Sequence, residues 1–128
     1  MKNKVEVIIP SLGDNKLNKT LESLNQGSLK PKKIICLINN NKKINLNKKY
    51  KNVKIYYTFK KGQIIQRLDA FKKTKEKLIL QLDDDIILEK NCLKNLVNFL
   101  VKNGKGNVAG PVYNNPFNKP LHKIKRIN

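Results

Sequence analysis

The sequence predicts an α/β domain, a three-layer fold around a mostly parallel sheet, on two observations. Short β-branched runs alternate with longer segments of helical period, the pattern of βαβ units. Three consecutive aspartates, Asp83, Asp84 and Asp85, follow directly on one of the apolar runs, and open parallel sheets bind ligands at the carboxyl ends of their strands. At 128 residues the chain fits one domain with a real core and is too short for a second of similar size.

Val5 to Ile9 reads as the first strand, stopped by Pro10. Leu17, Leu21 and Leu24 then recur at i, i+4 and i+7, an apolar stripe on a helix that ends near Gly27. The second strand is Lys33 to Ile38, entered after Pro31, and the Asn- and Lys-rich stretch from Asn39 to Asn52 reads as a loop. Val53 to Tyr57 is a third strand. Ile64, Leu68 and Phe71 repeat the i, i+4, i+7 spacing and predict a helix from Gln63 to about Lys73, whose other face carries Gln66, Arg67 and Lys73.

Leu78 to Leu82 is the fourth strand and runs straight into the aspartates. Leu93, Leu96, Val97 and Leu100 form a further helical stripe, closed by Gly104 and Gly106 as stop signals. Val108 to Val112 reads as a fifth strand. Beyond it the chain is Asn, Pro and Lys with scattered apolar residues, so the expected organisation is a domain over residues 1–113 and a basic, irregular tail over 114–128. No internal repeat is visible.

The net charge of +19, from 28 Lys and Arg against 9 Asp and Glu, would attract nucleic acid, anionic lipid or phosphorylated small molecules. The lysines are spread along the chain with few aromatics between them for base stacking, so they read more readily as solvated faces, and nucleic acid is the disfavoured partner. Cys36 and Cys92 are far apart, with no CxxC and no neighbouring histidine, which indicates neither a zinc site nor a disulfide framework and suits a reducing cytoplasm. The apolar stretch before Pro10 is too short for a signal-peptide core, and no run approaches the roughly 18 apolar residues of a membrane span. Any contact with an anionic membrane is therefore expected to be peripheral, at its cytoplasmic face.

Adjacent carboxylates repel one another, and three in a row at a strand end cost stability unless a cation is near. Mg²⁺ or Mn²⁺ prefers carboxylate oxygen and shares its remaining positions with water and phosphate. The simpler alternative is a solvated turn in which Asp84 or Asp85 caps the next helix, although capping needs one aspartate and not three. Pro10-Ser11 and Asn39-Asn40 sit at the same edge of the proposed sheet, as hydrogen-bonding groups for a base or ribose or as ordinary turn residues. Arg67 suits bidentate contact with phosphate but is also one of many surface cations. His122 belongs to the tail and reads as solvent-exposed, and Asp69 as an ion-pair partner for lysines.

Four segments in order resemble the family-two-type glycosyltransferases of the GT-A fold: Val5-Glu6-Val7-Ile8-Ile9-Pro10-Ser11, Thr20-Leu21-Glu22-Ser23-Leu24, Lys33-Ile34-Ile35-Cys36-Leu37-Ile38 and Leu80-Gln81-Leu82-Asp83-Asp84-Asp85. A helix bearing Gly62 and Arg67 stands before the aspartates, as in the family's glycine and alanine-arginine-asparagine stretch. The resemblance covers roughly residues 5 to 113. It implies a Rossmann-like nucleotide-binding domain that passes a sugar from a nucleoside diphosphate sugar to a saccharide or lipid-linked acceptor, usually with inversion, as in cell-envelope polysaccharide biosynthesis. On it, Asp83 and Asp85 hold the metal, Asp83 and Asp84 help to hold the ribose, Pro10, Ser11 and Asn39 border the nucleoside, and Arg67 stands near the diphosphate. The metal would neutralise the departing diphosphate.

Three departures accompany the resemblance. Asn39-Asn40 replaces the aspartate usual after the second strand, keeping a hydrogen bond to the base and giving up a charge. Leu68 replaces the family's asparagine. The acceptor-binding half with its catalytic base has no counterpart before residue 128, so slow transfer by this chain alone is expected. A non-catalytic nucleotide and metal module is the competing reading. A nucleotidyltransferase ranks low, because the loop Ser11-Leu12-Gly13-Asp14 holds a single glycine.

Overall fold

The computed structural model describes residues 4–13, 15–39, 50–59, 62–104 and 109–110. Strands β1 (Val5–Ser11), β2 (Lys33–Asn39), β3 (Val53–Thr58) and β4 (Leu78–Gln81) alternate with helices α1 (Leu17–Gln26), α2 (Gln63–Phe71) and α3 (Cys92–Asn103). The strands form one sheet in the order β3-β2-β1-β4, every neighbouring pair parallel. β2 and β3 are thus laid outward from β1 in turn, and the chain then crosses back to place β4 on β1's other side. The strand order reverses between β1 and β4, and at such a switch point the connections leave in opposite directions and open a crevice beyond the carboxyl ends.

The central strands are buried on both faces, so alternate residues serve opposite layers. Val7, Ile9, Ile34, Cys36 and Ile38 pack with Leu17, Leu21 and Leu24 of α1. Ile8, Ile35 and Leu37 face the other way, against Ala70 of α2. Leu93 and Val97 of α3 join Val5, with Leu78 and Leu80 packed beside them. Helices on both faces of a parallel sheet make a Rossmann-like three-layer α/β domain, as the alternating periods predict.

Several boundaries move. β1 continues through Pro10 to Ser11, fully buried along its length, and so brings Ser11 to the end of the ladder opposite Ile38. β4 is half-buried, with Gln81 exposed, and is an outer strand of the described sheet, although its apolar run reads as that of a buried strand. Neither Asp84 nor Asp85 caps the next helix: α3 begins at Cys92, with Asn91 at its cap. Gly104, at a φ of 81°, ends α3 as predicted, since the left-handed region favours glycine. Of the expected fifth strand only Ala109 and Gly110 are described, and neither is in a strand; most of the 39–52 loop, Gly106, the 114–128 tail and His122 lie outside the described residues.

The largest correction concerns α2. Its predicted apolar stripe faces out: Ile64 is 75% and Leu68 55% exposed, while Gln66 and Ala70 are buried. The reason is polar. The Gln66 Nε2 donates to the carbonyl oxygens of Ser11 (3.2 Å) and Leu37 (3.3 Å), so a buried amide ties the ends of β1 and β2 to the helix. Only Phe71, half-buried, follows the expected stripe towards the core.

Glu6, buried on the same face as Ile8, accepts the backbone N–H groups of Lys75 (2.5 Å) and Glu76 (2.6 Å). A carboxylate that accepts two main-chain donors makes charge-assisted bonds, and here it fixes the turn from which β4 departs.

Both cysteines are free thiols. Burial pushes the Cys36 thiol up to about 12, whereas Cys92 on α3 is raised by partial burial and then by the Glu89 charge. Thiolate is the reactive form, so a thiol-alkylating reagent at neutral pH should modify Cys92 first and reach Cys36 only on unfolding. Equal, rapid labelling of both in the native protein would contradict a buried β2.

Candidate active site

The aspartates lie at the switch point. Leu82 and Leu88 are both buried in the core cluster beneath α1, so the segment between them is anchored at each end. Leu82 donates its N–H to the Ile8 carbonyl at 3.0 Å, continuing the β1–β4 pairing by one residue. On α1, the fully buried Thr20 Oγ1 donates to the Asp84 carbonyl (3.0 Å), and Ser23 Oγ accepts the Leu88 N–H (3.1 Å). Two hydroxyls of α1 therefore hold the backbone of the segment that carries the aspartates.

Side chains complete the arrangement. Ser11 Oγ donates to Asp84 Oδ2 at 2.7 Å, directly across the β1–β4 crevice, and accepts the Gly13 N–H at 3.0 Å. Gly13 has a φ of 91°, which turns its N–H back on the serine at little steric cost. Arg67 Nη2 donates to Asp83 Oδ1 at 3.0 Å, an ion pair with both partners partly exposed. Asp85 is exposed and has no hydrogen bond or ion pair among the described residues.

Pro10, Ser11, Leu12, Gln63, Gln66, Asp83, Asp84 and Asp85 line one cleft of about 230 Å³. That is below the roughly 300–1,000 Å³ of pockets that enclose a drug-sized ligand, so the described walls fit one portion of a larger, extended ligand. Of the residues singled out in the sequence, Pro10, Ser11 and the three aspartates converge here. Arg67 reaches the cleft only through Asp83. Asn39 is half-buried at the end of β2, one residue beyond the pairing of Ile38 with Ser11, at the same sheet edge but not in the cleft wall.

A match to the family model described as glycosyl transferase family 2 extends over residues 6–126. The chain belongs to that family. No curated protein matches it significantly. The α/β sheet with its carboxyl-end cleft is the nucleotide-binding architecture of a GT-A glycosyltransferase domain, and glycosyl transfer is the activity class of the family. The family segment Thr20-Leu21-Glu22-Ser23-Leu24 gains a physical meaning: its leucines are core and its hydroxyls hold the aspartate turn.

Gln66, Thr20 and Ser23 were not recognised as site residues from sequence. Gln66 stands where the family's stretch has alanine, directly before Arg67, and a polar residue one position from a phosphate-binding candidate was the available signal. Among the described residues no group of three or more His, Cys, Asp or Glu side chains forms a cage for a metal ion. Nor does any described helix have the length and apolarity to cross a membrane.

Proposed function

We propose that this domain binds a nucleoside diphosphate sugar with Mg²⁺ or Mn²⁺ in the β1–β4 cleft and passes the sugar, with inversion, to a saccharide or lipid-linked acceptor of the cell envelope. The observation that carries the reading is the bond from Ser11 to Asp84 across the switch point, which gathers three carboxylates on one cleft of a family 2 chain. A cytoplasmic setting with peripheral contact on an anionic membrane agrees with the +19 charge.

The donor set fits such a metal. Mg²⁺-like ions take one or two protein carboxylates and fill their remaining positions with phosphate and water, so the lack of an all-protein cage is no obstacle. Asp84 is engaged by Ser11, and one oxygen of Asp83 by Arg67. Asp85 and the second oxygen of Asp83 are the groups assigned to the cation. When bound, the ion supplies charge neutralisation for the departing diphosphate.

The remaining roles fall to the chain itself. Ser11 orients Asp84 towards the ribose and, with Pro10 and Asn39, borders the nucleoside. Arg67 holds Asp83 in the free protein and is the cation assigned to a diphosphate oxygen. Calorimetric titration with uridine and guanosine diphosphates in Mn²⁺, followed by product analysis with a panel of nucleotide sugars and acceptors, tests the reading. Saturable binding and, by this chain alone, slow sugar transfer are expected; no binding of any nucleoside diphosphate in the presence of metal would refute it.

A further inference from the structure

We propose that the outward face of α2 docks on an anionic lipid surface, with Ile64, Ile65 and Leu68 entering the boundary between headgroups and acyl chains. Helix α2 spans nine residues and is amphipathic in the reverse sense for a domain helix. At 100° per residue, the buried pair Gln66 and Ala70 defines one pole and Leu68 falls opposite it, between Ile64 and Lys72. Ile64, Ile65 and Leu68 are 75%, 41% and 55% exposed, and Phe59, just before the helix, is 86% exposed. Single exposed apolar residues are ordinary; three on one helix face, opposite a polar residue held in the core, call for an occupant.

Charge chooses among occupants. Lys72 lies on the same face, and the exposed Lys75 and Lys77 follow just beyond the helix. A second copy of this chain would bring another +19 against that face, and like charges at an apolar contact oppose association. A bilayer rich in anionic lipid supplies the opposite sign together with an apolar phase, and interfacial helices with lysines beside an apolar stripe bind such surfaces. With so short a stripe the contact is reversible. The inner face of the same helix lines the cleft through Gln63 and Gln66, so docking sets the cleft beside the lipid surface. The docking needs no nucleotide and stands independently of the donor reading.

The chain contains no tryptophan, so Leu68→Trp makes a single fluorescent reporter on this face. Its emission should shift to the blue on adding phosphatidylglycerol-containing vesicles, be quenched by lipids brominated in the acyl chain, and stay unchanged with phosphatidylcholine vesicles. In co-sedimentation, Ile64→Ser combined with Leu68→Ser should weaken binding to the anionic vesicles at least tenfold, with the circular dichroism spectrum and the nucleoside diphosphate affinity unchanged. Undiminished binding by the double variant would mean that lysines alone hold the protein to lipid and would overturn the proposal. So would a blue shift that depends on protein concentration without lipid, which marks self-association, or a Trp unmoved by anionic vesicles. Loss of nucleotide affinity in the double variant would assign the face to the donor site instead, whereas loss of lipid binding alone leaves the donor reading as it stands.

Discussion

Asp85→Ala should lower nucleoside diphosphate affinity in Mn²⁺ at least tenfold, about 1.4 kcal/mol, and excess chelator should lower the affinity of the unsubstituted protein to the same level. The structure separates Asp85 from its neighbours. Asp84 is held by the Ser11 hydroxyl and Asp83 by Arg67, whereas Asp85 lines the cleft with no partner among the described residues. A carboxylate with all its lone pairs open, beside two already engaged, is the natural first ligand for a hard cation. Because Asp85 is exposed, its truncation should change folding stability by no more than about 0.5 kcal/mol, and the loss then reads binding. Calorimetry on both proteins, with and without chelator, is the measurement. Equal affinities throughout would remove the metal from the cleft.

Gln66→Leu should destabilise the fold by about 1–3 kcal/mol, the usual cost of leaving buried polar groups without a partner, while Leu68→Gln should stay within about 0.5 kcal/mol of the starting protein. Hydrophobic periodicity would predict the opposite order, since it puts Leu68 on the apolar stripe and Gln66 among the polar residues. The structure reverses them: Gln66 is 1% exposed and donates to the Ser11 and Leu37 carbonyls, and Leu68 is 55% exposed. Replacing Gln66 by a residue of similar size removes both donors without opening a large cavity, so the expected loss is polar in origin. As Gln66 also forms part of the cleft wall, nucleotide affinity should fall with it. Denaturant midpoints at a constant slope for the two variants decide the matter; a Leu68→Gln variant that unfolds more readily than Gln66→Leu would show that α2 is rotated from its described orientation.

The site was partly legible because its chemistry is concentrated. Three of nine acids stand together after an apolar run, and no ordinary turn requires that. Arg67 was found as a cation before the aspartates, and its partner proved to be Asp83. Asn39 was placed at the correct sheet edge by the length of β2, yet strand counting could not tell whether it joins the cleft wall, and among the described lining residues it does not. The hydroxyls of Thr20 and Ser23 have no signal in the sequence because their partners stand more than sixty positions away in the chain.

The sequence by itself determined the alternation of strands and helices, the α1 and α3 core stripes and the position of the aspartates at a strand end. Those features rest on short-range periodicity, and burial on one or two faces imposes it within a few residues. Only the tertiary structure decided that β4 lies beside β1, that the strand order reverses between them, and that Ser11 and Asp84 therefore meet at 2.7 Å. It alone also decided which way α2 faces. An i, i+4 pattern fixes a stripe but not the direction in which the stripe points. Here the carbonyls at the ends of β1 and β2 took Gln66 as their donor and turned Ile64 and Leu68 outward.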